Sequence, residues 1–117
     1  MDLFRHLRNA YDRTRPPEVR VPDGPDTPPV RKRYRFSGSV QGVGFRYEAR
    51  MIAIQLGLTG WAQNKSDGTV LVEIEGPESH ISEFMRAMQA VPRFHISDIE
   101  AEDLPLTGAE TTFKIRY

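Results

Sequence analysis

Residues 31–64 read RKRYRFSGSVQGVGFRYEARMIAIQLGLTGWAQN, and their hydrophobic period changes twice. Tyr34, Phe36 and Val40 share one face of an extended segment, which predicts a first strand. A glycine-rich loop, Ser39-Val40-Gln41-Gly42-Val43-Gly44, leads from it into Phe45-Arg46. Phe45, Ala49, Ile52, Ala53 and Leu56 then recur at helical spacing, and Gly57 is well placed to stop that helix. Leu58 to Gln63 reads as a second strand.

Downstream the alternation continues. Asn64-Lys65-Ser66-Asp67-Gly68 is a turn, with Asp-Gly as its strongest signal. Val70, Val72 and Ile74 mark one face of a third strand, and Glu73 and Glu75 mark the other. Gly76-Pro77-Glu78-Ser79 opens a second helix with proline in its first turn. Ile81, Phe84, Met85, Met88 and Val91 form its apolar stripe, and Pro92 ends it. Phe94 and Ile96, then Ile99 and Ala101, predict a fourth strand with a bulge where the phase slips. Phe113, Ile115 and Tyr117 alternate in a short last strand.

The order β-α-β-β-α-β plus a terminal strand predicts an α+β fold. It is a ferredoxin-like βαββαβ sandwich, an antiparallel sheet with two helices on one face. Within its first right-handed crossover, strands one and two run parallel with another strand between them. Their C-terminal ends share one edge, so Gly42 and Gly44 should face Asn64.

Upstream of residue 31 the composition changes. Six of the nine prolines fall between Pro16 and Pro29, and proline fixes φ and removes donors. Residues 1–30 are therefore expected to be a flexible arm, with a short helix over 2–13, and residues 31–117 the folded domain. Leu3, Phe4, Leu7, Ala10 and Tyr11 share the face of that short helix. The 117 residues suit one small domain. With 16 Lys+Arg against 16 Asp+Glu, net charge exerts no global pull toward nucleic acid or anionic lipid. The absence of Cys excludes a disulfide framework, a thiol nucleophile and Cys-bound zinc. No apolar run approaches the roughly 20 residues of a membrane span, and the N-terminus lacks a secretory h-region. The expectation is a soluble cytoplasmic monomer.

The loop carries the chemistry. A glycine-rich turn between strand and helix exposes successive backbone N–H groups, which form an anion nest reinforced by the positive helix end. Arg46 sits in the first helical turn, and its side chain can lean back over the nest and grip two phosphate oxygens. GxxxxGK[ST] is absent, so this is not the usual nucleotide loop. A Gly-x-Gly pair is equally what a tight turn beside a surface arginine needs. Asn64, brought to the same edge by the topology, favours the site. His6, His80 and His95 are scattered and read as surface or boundary residues. Glu48 is expected to point to solvent, so no carboxylate stands ready as a general base. That suits a carboxyl phosphate, whose carboxylate leaves with little acid help. Asn64 can hold the attacking water in line.

Gly38-Ser39-Val40-Gln41-Gly42-Val43-Gly44-Phe45-Arg46, Leu56-Gly57-Leu58-Thr59-Gly60-Trp61-Ala62-Gln63-Asn64 and Asp67-Gly68-Thr69-Val70 together strongly resemble acylphosphatase. The likeness covers about residues 31–117 and includes the ending Phe113-Lys114-Ile115-Arg116-Tyr117. It implies an enzyme that hydrolyses acyl phosphates to carboxylate and inorganic phosphate, without metal, cofactor or covalent intermediate. It implies Arg46 as the phosphate-binding arginine and Asn64 as the water-orienting asparagine. The phosphate cradle then falls on Gln41, Gly42, Val43, Gly44 and Phe45. Two departures stand out: Ala62 in place of a larger aliphatic residue, and the arm. Trp61 reads as a core or rim aromatic rather than a ligand.

Two other readings compete. Acylphosphatase-like domains also front large hydrogenase-maturation carbamoyltransferases, which implies a regulatory module or one that handles carbamoyl phosphate. With nothing after Tyr117, a free-standing enzyme is expected. Ferredoxin-like sheets can also stack RNA bases, but the third strand, VLVEIEG, is acidic and lacks aromatics. The expected partner is a small-molecule acyl phosphate, with phosphate as product and inhibitor, and neither nucleic acid nor membrane.

Overall fold

The computed structural model describes residues 18–23 and 27–117. Its elements are β1 (Pro29–Ser39), α1 (Phe45–Gln55), β2 (Thr59–Asn64), β3 (Val70–Pro77), α2 (Glu78–Gln89), β4 (His95–Leu104) and β5 (Phe113–Arg116). The strands form one sheet in the order β4-β1-β3-β2-β5. β3 is antiparallel to both β1 and β2, so those two run parallel with β3 between them, as the crossover rule requires. β5 adds parallel to β2, which makes the sheet mixed.

Side-chain alternation decides the two faces. Phe36, Val70, Val72 and Ile74 point to one side and are fully buried beneath the helices. Phe45, Ala49, Ile52 and Ala53 of α1 meet them, as do Ile81, Phe84, Ala87 and Met88 of α2. Each large apolar side chain so buried contributes roughly 1.5–3 kcal/mol. An aromatic row fixes the start of α1: the Phe45 ring centroid lies 4.8 Å from Phe36 and 4.8 Å from Phe94. The loop before Phe45 is thereby anchored at its helical end.

The other face carries an ionic ladder. Arg31 is buried there and bonds Glu73, Glu75 and Glu110 at 2.9, 3.3 and 3.0 Å. Burial opposes its charge, but the hydrogen bonds it donates to Glu110 and Glu73 outweigh that and hold its pKa above the ordinary value.

The predicted bulge is present. Ser37 pairs with Asp98 and Gly38 with Ile96, so Ser97 is the extra residue on β4. Helix α1 ends as expected: Gly57 N–H donates to Ile54 and Leu58 N–H to Ala53, at 3.1 and 2.9 Å. Pro77 is the N-cap of α2 rather than a residue of its first turn, because β3 runs directly into the helix. β2 is shifted by one residue at each end and includes Asn64.

The short helix over 2–13 lies outside the described residues. Residues 18–20 lie along α2: Arg86 donates to the Glu18 carbonyl at 2.9 Å, and the Arg20 N–H to Glu83 at 2.6 Å. Thr27 Oγ1 accepts the Ser79 N–H at 3.0 Å and so caps α2 from outside the helix.

Candidate active site

The loop between β1 and α1 is built around two glycines. Gly42 and Gly44 have φ of 75° and 77°, in the left-handed region that side chains rarely adopt. Gly44 is also the N-cap of α1 and has no side chain to cap it. The first N–H groups of the helix are thereby left for an outside acceptor, at its positive end.

β2 brings the second component. Asn64 shares the parity of Gly60 and Ala62, which face the core, so its side chain emerges on the helix side of the sheet. Its carboxamide makes no hydrogen bond among the described residues and lines a cleft of about 260 Å³. Gly42, Gly44, Phe45 and Arg46 form the opposite wall. Tyr47, Ile115 and Tyr117 complete the mouth, and among the described residues no Asp or Glu lines it.

Arg46 donates through Nη1 to the Arg116 carbonyl at 3.1 Å, and its guanidinium carbon lies 5.0 Å from the Tyr117 ring centroid. Its other donors have no partner among the described residues. The side chain thus leans toward β5 while lining the cleft. The cleft offers backbone donors, one guanidinium and one free carboxamide, a set suited to a tetrahedral oxyanion.

Two residues of the expected cradle also make hydrogen bonds outside the cleft. Gln41 turns from the cleft and donates through Nε2 to the Lys65 and Thr69 carbonyls, both at 2.8 Å. It ties the glycine loop to the turn after Asn64. Val43 does not line the cleft, and its carbonyl accepts from Arg93 Nε at 2.7 Å.

Glu48 corrects the sequence reading. It is only 3% exposed and pairs with Arg93 at 2.7 Å instead of facing solvent. The periodicity carried the signal, because Glu48 falls between Phe45 and Ile52 on the apolar face of α1. Arg93 itself left no local signal. Tyr47 was legible only as the neighbour of Arg46. Ile115 and Tyr117 reach the cleft because β5 pairs with β2, a pairing that alternation does not encode.

His80 Nδ1 lies 3.1 Å from the Leu56 carbonyl, and His95 is exposed, so neither reaches the cleft. Trp61 is buried beneath Arg116, whose guanidinium carbon stands 4.4 Å from the indole centroid. Among the described residues, no group of three or more His, Asp or Glu side chains is arranged to hold a metal. No described helix is long and apolar enough to cross a membrane. A larger depression, about 400 Å³, lies on the open face of the sheet over Arg33 and Arg35. Those arginines are already paired with Glu102 and Asp67 at 3.2 and 3.3 Å, so the smaller cleft holds the free reactive groups.

The geometry has relatives. The model of the acylphosphatase family matches residues 32–115. The acylphosphatase of Clostridium beijerinckii is 40% identical over 81 residues, covering 68% of this chain and 90% of that protein. That of Lactobacillus johnsonii is 36% identical over 85 residues, covering 71% and 93%. The crystal structure of acylphosphatase from Bacillus subtilis matches with a TM-score of 0.71 at 35% identity, over 75% of this chain and 99% of that one. Full-length HypF in its phosphate- and nucleotide-bound form matches with a TM-score of 0.71 at 30% identity, over 81% of this chain but 13% of that one. Fold, motif and extent of match agree: the chain belongs to the acylphosphatase family of hydrolases.

Proposed function

We propose that the chain hydrolyses the carboxyl–phosphate bond of small acyl phosphates, giving carboxylate and inorganic phosphate. The observation that carries this reading is the uncapped start of α1, facing the free Asn64 carboxamide across a cleft that contains Arg46. Backbone N–H groups of the 40–46 loop and the Arg46 guanidinium hold the phosphoryl oxygens. Asn64 orients the attacking water. The water oxygen bonds to phosphorus as the phosphorus–carboxyl oxygen bond breaks, and that electron pair leaves on the carboxylate. The water proton passes to a phosphate oxygen or to solvent. The transition state is loose, so positioning and charge stabilisation supply most of the acceleration. The same reading makes the chain a cytoplasmic monomer inhibited by its product, phosphate.

Purified protein should turn over benzoyl phosphate in the presence of a chelator. Arg46→Ala and Asn64→Ala should each lower kcat/KM by at least about a hundredfold, the scale of one lost transition-state donor. Unchanged turnover in both variants overturns the mechanism. The likeness to HypF favours one second reading, a module that binds phosphoryl groups within a larger enzyme. Phosphate binding without turnover in the wild type would select it.

A further inference from the structure

We propose that Arg93 is a positioning residue for the anion cradle, locked in place by the buried carboxylate of Glu48. The inference rests on the reading of the cleft given above. Arg93 lies between α2 and β4, bonds the glycine loop and is not among the residues that line the cleft. Its Nε donates to the Val43 carbonyl at 2.7 Å, and its Nη2 donates to Glu48 Oε1 at 2.7 Å. The guanidinium carbon stands 4.9 Å from the Phe94 ring centroid, and Phe94 packs on Phe45. The guanidinium is therefore held in position by the loop carbonyl, the helix carboxylate and the aromatic row.

The orientation of one peptide unit follows. In a trans peptide, C=O and N–H point in opposite directions. Arg93 holds the Val43 carbonyl, so the Gly44 N–H is turned the other way, toward the cleft that Gly44 lines. A free peptide here could flip and present an oxygen to the anion instead. Gly44 also admits the clamp. A Cβ on it would stand 3.3 Å from Arg93 Nη2, inside ordinary contact distance.

Glu48 supports the assignment from a separate direction. Its Oε2 is buried without a hydrogen-bond partner among the described residues. Half-satisfied buried carboxylates are unfavourable for stability and concentrate at functional sites. Aiming Arg93 at the Val43 carbonyl gives this one a role.

The test uses the full chain, with inorganic phosphate as the probe. The paired variant Glu48→Gln with Arg93→Met removes the clamp without leaving a buried charge unpaired. Its phosphate inhibition constant and its KM for benzoyl phosphate should rise about tenfold, with kcat within about threefold of wild type. A folded double variant with an unchanged phosphate inhibition constant overturns the proposal. If that variant does not fold, amide resonances of the wild type decide. On phosphate saturation the Gly44 N–H must shift with its neighbours in the loop. Shifts at Gly42 and Phe45 with Gly44 unmoved overturn the clamp but leave the reading of the cleft intact. No shift anywhere in the loop overturns the reading of the cleft itself, and the clamp with it.

Discussion

Replacing Gln41 with leucine removes two hydrogen bonds while keeping most of the side-chain volume. Gln41 Nε2 bridges the Lys65 and Thr69 carbonyls at 2.8 Å each. A neutral intramolecular hydrogen bond contributes about 1 kcal/mol net, so the pair is worth about 2 kcal/mol. The figure does not rise to the penalty for an orphaned carbonyl, because each acceptor keeps another donor. Lys65 O still accepts from Gly68 N at 3.1 Å, and Thr69 O from Lys65 N at 2.9 Å. For a domain of this size, about 2 kcal/mol corresponds to a fall in Tm of about 8–16 °C. Urea titration should show a lower midpoint with an unchanged m value. The turn that loosens begins immediately after Asn64, so the carboxamide should drift relative to the loop. Misplacement by about 1 Å can lower a rate by about a hundredfold, and a partly restrained turn should lose about tenfold in kcat/KM. Stability within about 0.5 kcal/mol of wild type, together with unchanged kcat/KM, would refute the reasoning. Lost stability with full activity would restrict Gln41 to the fold.

Three further outcomes are expected. Arg31→Met leaves Glu73, Glu75 and Glu110 facing one another without their shared cation, and should lower unfolding stability by about 3–5 kcal/mol in denaturant titrations. Glu83 is held down at about 2 from 4.5, chiefly by the Arg86 guanidinium, with burial opposing and the Arg20 N–H assisting. Its folded pKa lies below its unfolded one, so its stabilisation is complete above about pH 4.5 and is lost as pH falls through about 2. Tm measured across that interval should fall less steeply in Glu83→Gln than in wild type. Thr27→Ala removes the external cap of α2 and should lower stability by about 1 kcal/mol, with no change in KM for benzoyl phosphate.

Much of the fold was legible because its signals are local. The period-two run through Tyr34 and Phe36 and the helical recurrence from Phe45 to Leu56 each specify an element within a dozen residues. The slip between Ile96 and Ile99 located the bulge at Ser97. Topology then put Asn64 opposite Gly42 and Gly44. What stayed hidden depends on partners distant in sequence. Glu48 was read as a solvated acid because its cation, Arg93, is 45 residues away. The burial of Arg31 left no local signal, because Glu110, which helps to bury it, lies 79 residues on. The Gln41 side chain gave no local sign that its amide satisfies carbonyls of another loop. The direction of β5 is set by its pairing with β2, and with it the placement of Ile115 and Tyr117 at the cleft.

The central claim is that one cleft holds a phosphoryl group between the glycine loop and Asn64. A crystal structure with orthovanadate tests it most directly. Vanadium should sit at the start of α1, its oxygens accepting from loop N–H groups between Gly42 and Arg46. The Arg46 guanidinium should turn to the anion, with the Asn64 carboxamide within hydrogen-bond reach of an apical oxygen. Vanadate bound elsewhere, with Arg46 still on the Arg116 carbonyl and the loop amides unoccupied, would contradict the account.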